Sequence, residues 1–233
     1  MFRMIRPNAG PLQPAPICAY RSCSMALDVL HRDDRIIVLN KPTGLLSVPG
    51  IGPEKQDCLA SRAQREFAGA RIVHRLDRDT SGVIVMALDA EAHRELSRQF
   101  HDREVQKVYI AIVHGVVGQD EDKIDLPMRK DMDPKNAPRQ IIDHEQGRSA
   151  MTNYRVLERD ADRTRLELRP ITGRSHQLRL HLQTIGHPIL GDNLYAPLDV
   201  QALADRLLLH AQSLWLVHPG TAEPMTFEAK CPF

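Results

Sequence analysis

The chain predicts an α+β fold built around a mostly antiparallel sheet, and three features predict it. The β-branched runs at residues 35–40, 83–88 and 107–113 read as strands. They neither alternate regularly with helices nor leave crossover spacing, which argues against a doubly wound parallel sheet. Residues 154–158 and 164–168 form a hairpin pair across the polar Arg159-Asp160-Ala161-Asp162-Arg163.

In chain order, residues 35–40 end at Lys41-Pro42-Thr43-Gly44, a turn signal. Residues 45–49 read as a second short extended piece closed by Pro49-Gly50, and residues 56–67 as a helix. Residues 90–100 have helical composition, with Ala92, Leu96 and Phe100 spaced i, i+4, i+8. Residues 107–113 alternate as a strand carrying one aromatic, Tyr109. Residues 118–148 are rich in Asp, Pro, Lys and Gly and read as loops around short strands. Residues 173–184 turn helical, with Leu178, Leu182 and Ile185 on one face and Gly186 as the C-terminal cap. There is no internal repeat.

A chain of 233 residues, 42% apolar and 26% charged, suffices for one large core. Its formal net charge of +1 announces no polyanion partner. Local charge does: between Leu168 and Gly191 there is no acid, while Arg169, Arg174, His176, Arg179, His181 and His187 all fall inside. Such a stripe suits phosphates even when acids elsewhere cancel the total. Cys18, Cys23, Cys58 and Cys231 are too scattered for a disulfide framework and form no C-x-x-C pair, so a cytoplasmic protein with reduced thiols is expected. No stretch approaches the roughly 20 apolar residues that span a bilayer. Residues 1–25, basic and punctuated by Pro7, Pro11, Pro14 and Pro16, are expected to be a disordered tail before one catalytic domain over residues 26–233.

The chemistry centres on His74-Arg75-Leu76-Asp77-Arg78-Asp79-Thr80-Ser81-Gly82, which sits immediately before the apolar run 83–88. Flanking arginines would keep Asp77 ionised, and an ionised, positioned Asp is a nucleophile or a base. The competing reading is a surface ion cluster capping a strand. Arg174, expected near a helix N-terminus, would pair with a carboxylate or phosphate, or else meet a solvent-side acid. Tyr109 is either sheet packing or a platform for a flat base. His176 and His181, five apart, lie off a single helical face, so metal ligation is not expected of them. No P-loop, G-x-S-x-G or H-E-x-x-H occurs.

These segments together resemble the RluA family of RNA pseudouridine synthases. His74-Arg75-Leu76-Asp77-x-x-Thr80-Ser81-Gly82 resembles the family signature, and residues 37–45 its first strand and turn. Lys107-Val108-Tyr109 is similar to its Tyr-bearing strand, residues 170–179 and 187–192 to its second long motif, and Leu208-Leu209-His210-Ala211 to its last. The resemblance runs in order from about Asp28 to Phe227 and is strongest to short members without an S4-like domain.

The resemblance implies a pseudouridine synthase fold with a central RNA-binding cleft, and an isomerase that needs no cofactor or metal. Asp77 would be the nucleophile, attacking uridine at ribose C1′ or on the ring. Tyr109 would stack on the uracil and take the proton from carbon 5, and Arg174 would pair with Asp77. Arg75 would fill the space of a flipped-out base, with His74, His176 and Arg179 also on the RNA. The implied partners are a tRNA anticodon stem-loop and a 23S rRNA hairpin, met by a monomer without a membrane. Two other functions fit parts of the pattern: an RNA-binding module without catalysis, and an Asp-nucleophile hydrolase acting on a nucleoside or glycoside.

Overall fold

The structure, a computed structural model, describes residues 26–233; the tail expected at residues 1–25, with Cys18 and Cys23, lies outside the described residues. The element order is β1 (Val29–Arg32), β2 (Ile36–Lys41), α1 (Leu59–Glu66), β3 (Arg71–Ile72), β4 (Ser81–Ala87), α2 (Ala90–His101), β5 (Gln106–His114) and β6 (Glu121–Asp125). There follow β7 (Met128–Lys130), β8 (Gln140–Ile142), β9 (Met151–Arg159), β10 (Arg163–Pro170), α3 (Gln177–Thr184), α4 (Leu198–Gln201), β11 (Leu209–Val217) and β12 (Pro224–Glu228).

A 10-stranded sheet runs β1-β2-β4-β11-β5-β10-β9-β6, with β12 added to β11 and β3 to β4. Among the described residues only β4 and β11 pair in parallel, His210 opposite Ser81 and Ala211 opposite Gly82. The expected α+β architecture with a mostly antiparallel sheet is the one observed. The hairpin is also present, with β9 and β10 in antiparallel register from Thr164–Arg159 to Pro170–Thr152.

β2 and β4 read as unbroken apolar runs because the sheet is covered on both faces there. Ile36, Val38, Val83 and Val85 pack toward Ala92 and Leu96 of α2. Their neighbours Ile37, Leu39, Ile84 and Met86 pack toward Leu59 and Ala63 of α1. Each such side chain, fully buried, contributes about 1.5–3 kcal/mol. A third cluster joins β5 and β10 to Leu178 and Leu182 of α3. The helices start where their caps are: Asp89 Oδ1 accepts the Glu91 and Ala92 N–H groups at 2.8 and 2.9 Å.

Two local expectations differ from the structure. Residues 45–49 make no strand, only a single bridge from Leu46 to Cys58, because Ser47 is engaged elsewhere, as described below. The helix expected from Gly173 begins only at Gln177. Residues 173–176 form a turn instead, held by the Gln177 amide. Its Oε1 accepts from Arg174 N–H at 3.0 Å and from Thr172 Oγ1 at 2.7 Å, while its Nε2 donates to the Met151 carbonyl at 2.9 Å. Arg174 therefore does not sit on a helix N-terminus.

Candidate active site

The segment between β3 and β4 carries Asp77, and the segment after β2 grips it from behind. Ser47 Oγ donates to the Leu76 carbonyl at 2.7 Å and accepts the Leu76 N–H at 3.1 Å. Thr43 Oγ1 donates to the Asp79 carbonyl at 2.7 Å. Lys41 Nζ, fully buried, donates to the carbonyls of Pro42, Leu45 and Arg78 at 2.9, 2.7 and 2.9 Å. Three acceptors match the three protons of an ammonium. Burial pulls the Lys41 pKa down to about 7, against the upward pull of the Asp79 and Asp77 charges.

On the other side, Ser81 Oγ lies 2.8 Å from His210 Nδ1 and accepts from Arg206 at 2.6 Å. Gly82 cannot be replaced in this frame: its φ is +116°, and a Cβ there would lie 2.2 Å from the Ala211 carbonyl oxygen. His74 belongs to the same scaffold. Its Nε2 accepts the Val85 N–H at 3.1 Å and its ring stacks on Phe100 at 4.4 Å. Burial, with the Lys107 charge, lowers its pKa to about 3. His74, expected on the RNA, lines the cavity as a neutral ring whose Nε2 already serves as an acceptor within the scaffold.

Asp77 faces a cavity of about 550 Å³ and, among the described residues, is the only acid lining it. Its nearest ring partner is His176, with Nε2 4.0 Å from Oδ1. His176 adopts a left-handed backbone, φ 57°, which turns its ring inward. Its Nδ1 lies 2.9 Å from the Tyr195 hydroxyl, whose oxygen also accepts the Gln140 N–H at 2.8 Å. The phenol is thus free to donate to Nδ1, which leaves the proton of a neutral imidazole on Nε2, toward Asp77. Burial lowers the His176 pKa while the Asp77 charge opposes that shift.

The cation behind Asp77 is Arg179 and not Arg174. Arg179 is buried on α3, bidentate to Asp192 at 2.8 and 2.6 Å, with a further bond to Asn193. It is close enough for its charge to interact with that of Asp77, and burial is outweighed by Asp192 and Asp77, so its pKa stands above the ordinary value. Arg174 lines the cavity but its Nε donates to the Ser149 carbonyl at 3.2 Å, and it forms no ion pair with Asp77. The expected Arg174–Asp77 clamp is therefore absent. Arg179, expected on the RNA, lines the cavity with its guanidinium held by Asp192.

Tyr109 on β5 lines the same cavity, half-buried, with no hydrogen bond to its hydroxyl among the described residues. Burial and the Asp77 charge push its pKa well above the ordinary value, so the phenol stays protonated. Arg75 is exposed at the cavity mouth without an acid partner. The basic stripe is dispersed by the fold. Arg169 pairs with Glu167 at 2.9 Å, His181 is buried against Thr152 and the Leu126 carbonyl, and His187 bonds the His114 carbonyl. Only Arg174, His176 and Arg179 of that stripe reach the cavity. Lys41, Ser47 and Thr43, which hold the Asp77 loop, were not singled out in the sequence; the one signal was their place in the turn after the first strand.

Comparison with known proteins gives a consistent answer. The sequence profile of the family described as RNA pseudouridylate synthase matches residues 35–184. The dual-specificity RNA pseudouridine synthase RluA of Yersinia pestis is 53% identical over 206 residues, covering 88% of this chain and 99% of the relative. RluA of Escherichia coli K12 is 50% identical over 208 residues, covering 89% and 94%. Among solved structures, human RNA pseudouridylate synthase domain containing 1 superimposes with a TM-score of 0.76 at 27% identity, covering 90% of this chain and 85% of that one. Human domain containing 4 gives 0.71 at 28%, covering 88% of each. With the sequence match spanning nearly the whole of both chains and the fold agreeing, this chain belongs to the RNA pseudouridylate synthase family and is an RNA pseudouridine synthase.

Proposed function

We propose that Asp77 is the nucleophile with which this chain converts a uridine in an RNA hairpin to pseudouridine. The substrates proposed are a tRNA anticodon stem-loop and a 23S rRNA hairpin; two RNA substrates fit the dual specificity named for the RluA relatives. The observation that carries the reading is the single carboxylate of Asp77, presented by a clamped loop into a cavity that also holds Tyr109. A volume of about 550 Å³ lies within the roughly 300–1,000 Å³ of small-ligand sites and suits one extruded nucleoside. Extrusion costs a few kcal/mol, least for a base already poorly stacked in a loop.

In this scheme Tyr109 stacks on the uracil and Arg75, at the mouth, takes the space the base vacates. The His176 Nε2, 4.0 Å from Asp77 Oδ1, and the Arg179 charge direct the Asp77 carboxylate. The reaction is an isomerisation: the N1–C1′ bond breaks, the base turns, C5 joins C1′, a proton leaves C5 and N1 gains one. Because the Tyr109 phenol is protonated, it accepts the C5 proton only while releasing its own to water, and water returns one proton to N1. All residues named come from one chain, which supports action as a monomer. The same substrates place the proposed action in the cytoplasm.

The hydrolase alternative is disfavoured by the same cavity. Glycosidases use two carboxylates, one of them to activate water or protonate the leaving group, and here Asp77 has no acidic companion in the lining. Incubating the protein with an anticodon stem-loop and with a 23S rRNA hairpin, then mapping pseudouridine and assaying free uracil, tests the proposal. Pseudouridine in both RNAs with no free uracil is expected. Free uracil without pseudouridine, or binding without turnover on both RNAs, would overturn it.

A further inference from the structure

We propose that Lys107 and Arg103 form a seat at the mouth of the cavity for a backbone phosphate adjoining the target uridine. This rests on the cavity being the uridine site. Lys107 lines the cavity from β5, half-buried, and its amino group has neither hydrogen bond nor ion pair among the described residues. Arg103 lines it from the turn between α2 and β5, with a left-handed backbone of φ 62°, and likewise has no partner.

A buried lysine normally finds an acid or snorkels its head into water. Lys107 is instead pressed toward a second cation. Burial, and then the charge of Arg103, pull its pKa below the ordinary value, and no acid pulls it back. The neighbouring wall supplies none: His74 and Gly173 flank it, with Lys107 Nζ 3.8 Å from where a Gly173 Cβ would stand, and the acid of the lining, Asp77, forms no ion pair with Lys107 and lies 4.0 Å from His176 Nε2. Two like charges held together without a counterion are costly in the free protein, and an anion between them removes the cost.

The geometry identifies that anion. Lys107 and Tyr109 are two residues apart on β5, so they share a face about 7 Å apart. A base stacked on the Tyr109 ring brings the phosphodiester of its own nucleotide or of its neighbour to Lys107. The small Gly173 side of the mouth leaves room for the sugar–phosphate backbone to pass. Lysine suits this role because a phosphate oxygen needs a charge and a donor and no fixed fork geometry.

The experiment measures hairpin RNA affinity across salt for the wild type, Lys107→Met, Lys107→Arg and Arg103→Met. A second RNA carries a neutral methylphosphonate at the phosphate on either side of the target uridine. Lys107→Met is expected to raise Kd about tenfold and to reduce the log–log salt slope by about 0.7. Lys107→Arg restores both, and exposed Arg103→Met gives a smaller change in the same direction. One of the two methylphosphonates weakens the wild type to the same degree and weakens Lys107→Met no further. Additive losses at both phosphates, or a Lys107→Met defect confined to the single-turnover rate with Kd and salt slope unchanged, would overturn the seat. Pseudouridine formation by the wild type in the same samples tests the underlying uridine site separately.

Discussion

The frame behind the Asp77 loop and the face in front of it follow opposite rules. Behind, polar side chains are paired: Ser47 with Leu76, Lys41 with its carbonyls, Ser81 with His210 and Arg206, and Arg179 with Asp192. In front, the Tyr109 hydroxyl and the cations of Arg75, Arg103 and Lys107 have no protein partner among the described residues. Some arginines away from the cavity contrast with these: Arg35, Arg62, Arg98, Arg129 and Arg163 pair with nearby acids. An unmade hydrogen bond at a buried group costs about 1–3 kcal/mol. That cost falls on the frame, whose groups are buried; Arg75 and Arg103 are exposed and Lys107 and Tyr109 half-buried, so all four are open to substrate while the paired frame keeps the Asp77 loop in position.

Breaking the frame should cost stability first. Arg179→Met strands the buried Asp192 carboxylate and is expected to destabilise by about 3–5 kcal/mol. Adding Asp192→Asn should recover part of it, read by urea unfolding. No loss in the single variant would mean the frame is not held by this pair. Ser47→Ala removes both bonds to Leu76 and should cost about 1–3 kcal/mol. It should lower kcat while leaving RNA affinity unchanged, because Ser47 positions Asp77 without touching substrate. Equal losses in affinity and kcat would count against a positioning role.

A further effect concerns pH. The His74 pKa is about 3 in the folded protein, against an ordinary 6.5 in the unfolded chain. Between those values the unfolded chain binds a proton that the folded one does not, so stability falls as pH drops through 6.5 and stops falling near 3. Replacing His74 by Asn should make the slope of stability against pH shallower by about one proton in that window. The remaining slope belongs to other buried histidines such as His181 and His210, whose pKa values burial also lowers. An unchanged slope would remove His74 from the frame.

The frame was also harder to read in the sequence than the face. β2 and β4 were legible because apolar runs of that kind need cover on both sides of a sheet. α2 was legible because its apolar residues recur at helical spacing. Asp77 and Tyr109 stand out for the same local reason: a carboxylate at a turn before a strand, and an aromatic in an aliphatic run. Arg174 and Arg179 could not be told apart, because which one faces Asp77 depends on where α3 begins. That start is set by the Gln177 amide bonding to β9 and to the turn before it. Lys41 was passed over because lysine is rarely buried, and its acceptors are carbonyls 37 or fewer residues away in sequence, which no residue pattern reveals. The basic stripe was legible in sequence only: the strand, the turn and the helix point its members in different directions.

The account turns on Asp77, and tritium release from a hairpin RNA labelled at uridine carbon 5 tests it most directly. Asp77→Asn preserves the shape of the side chain and should still bind the RNA. Its release rate should fall on the order of 10⁴-fold or more. Release at the wild-type rate by both Asp77→Asn and Asp77→Ala would contradict the account.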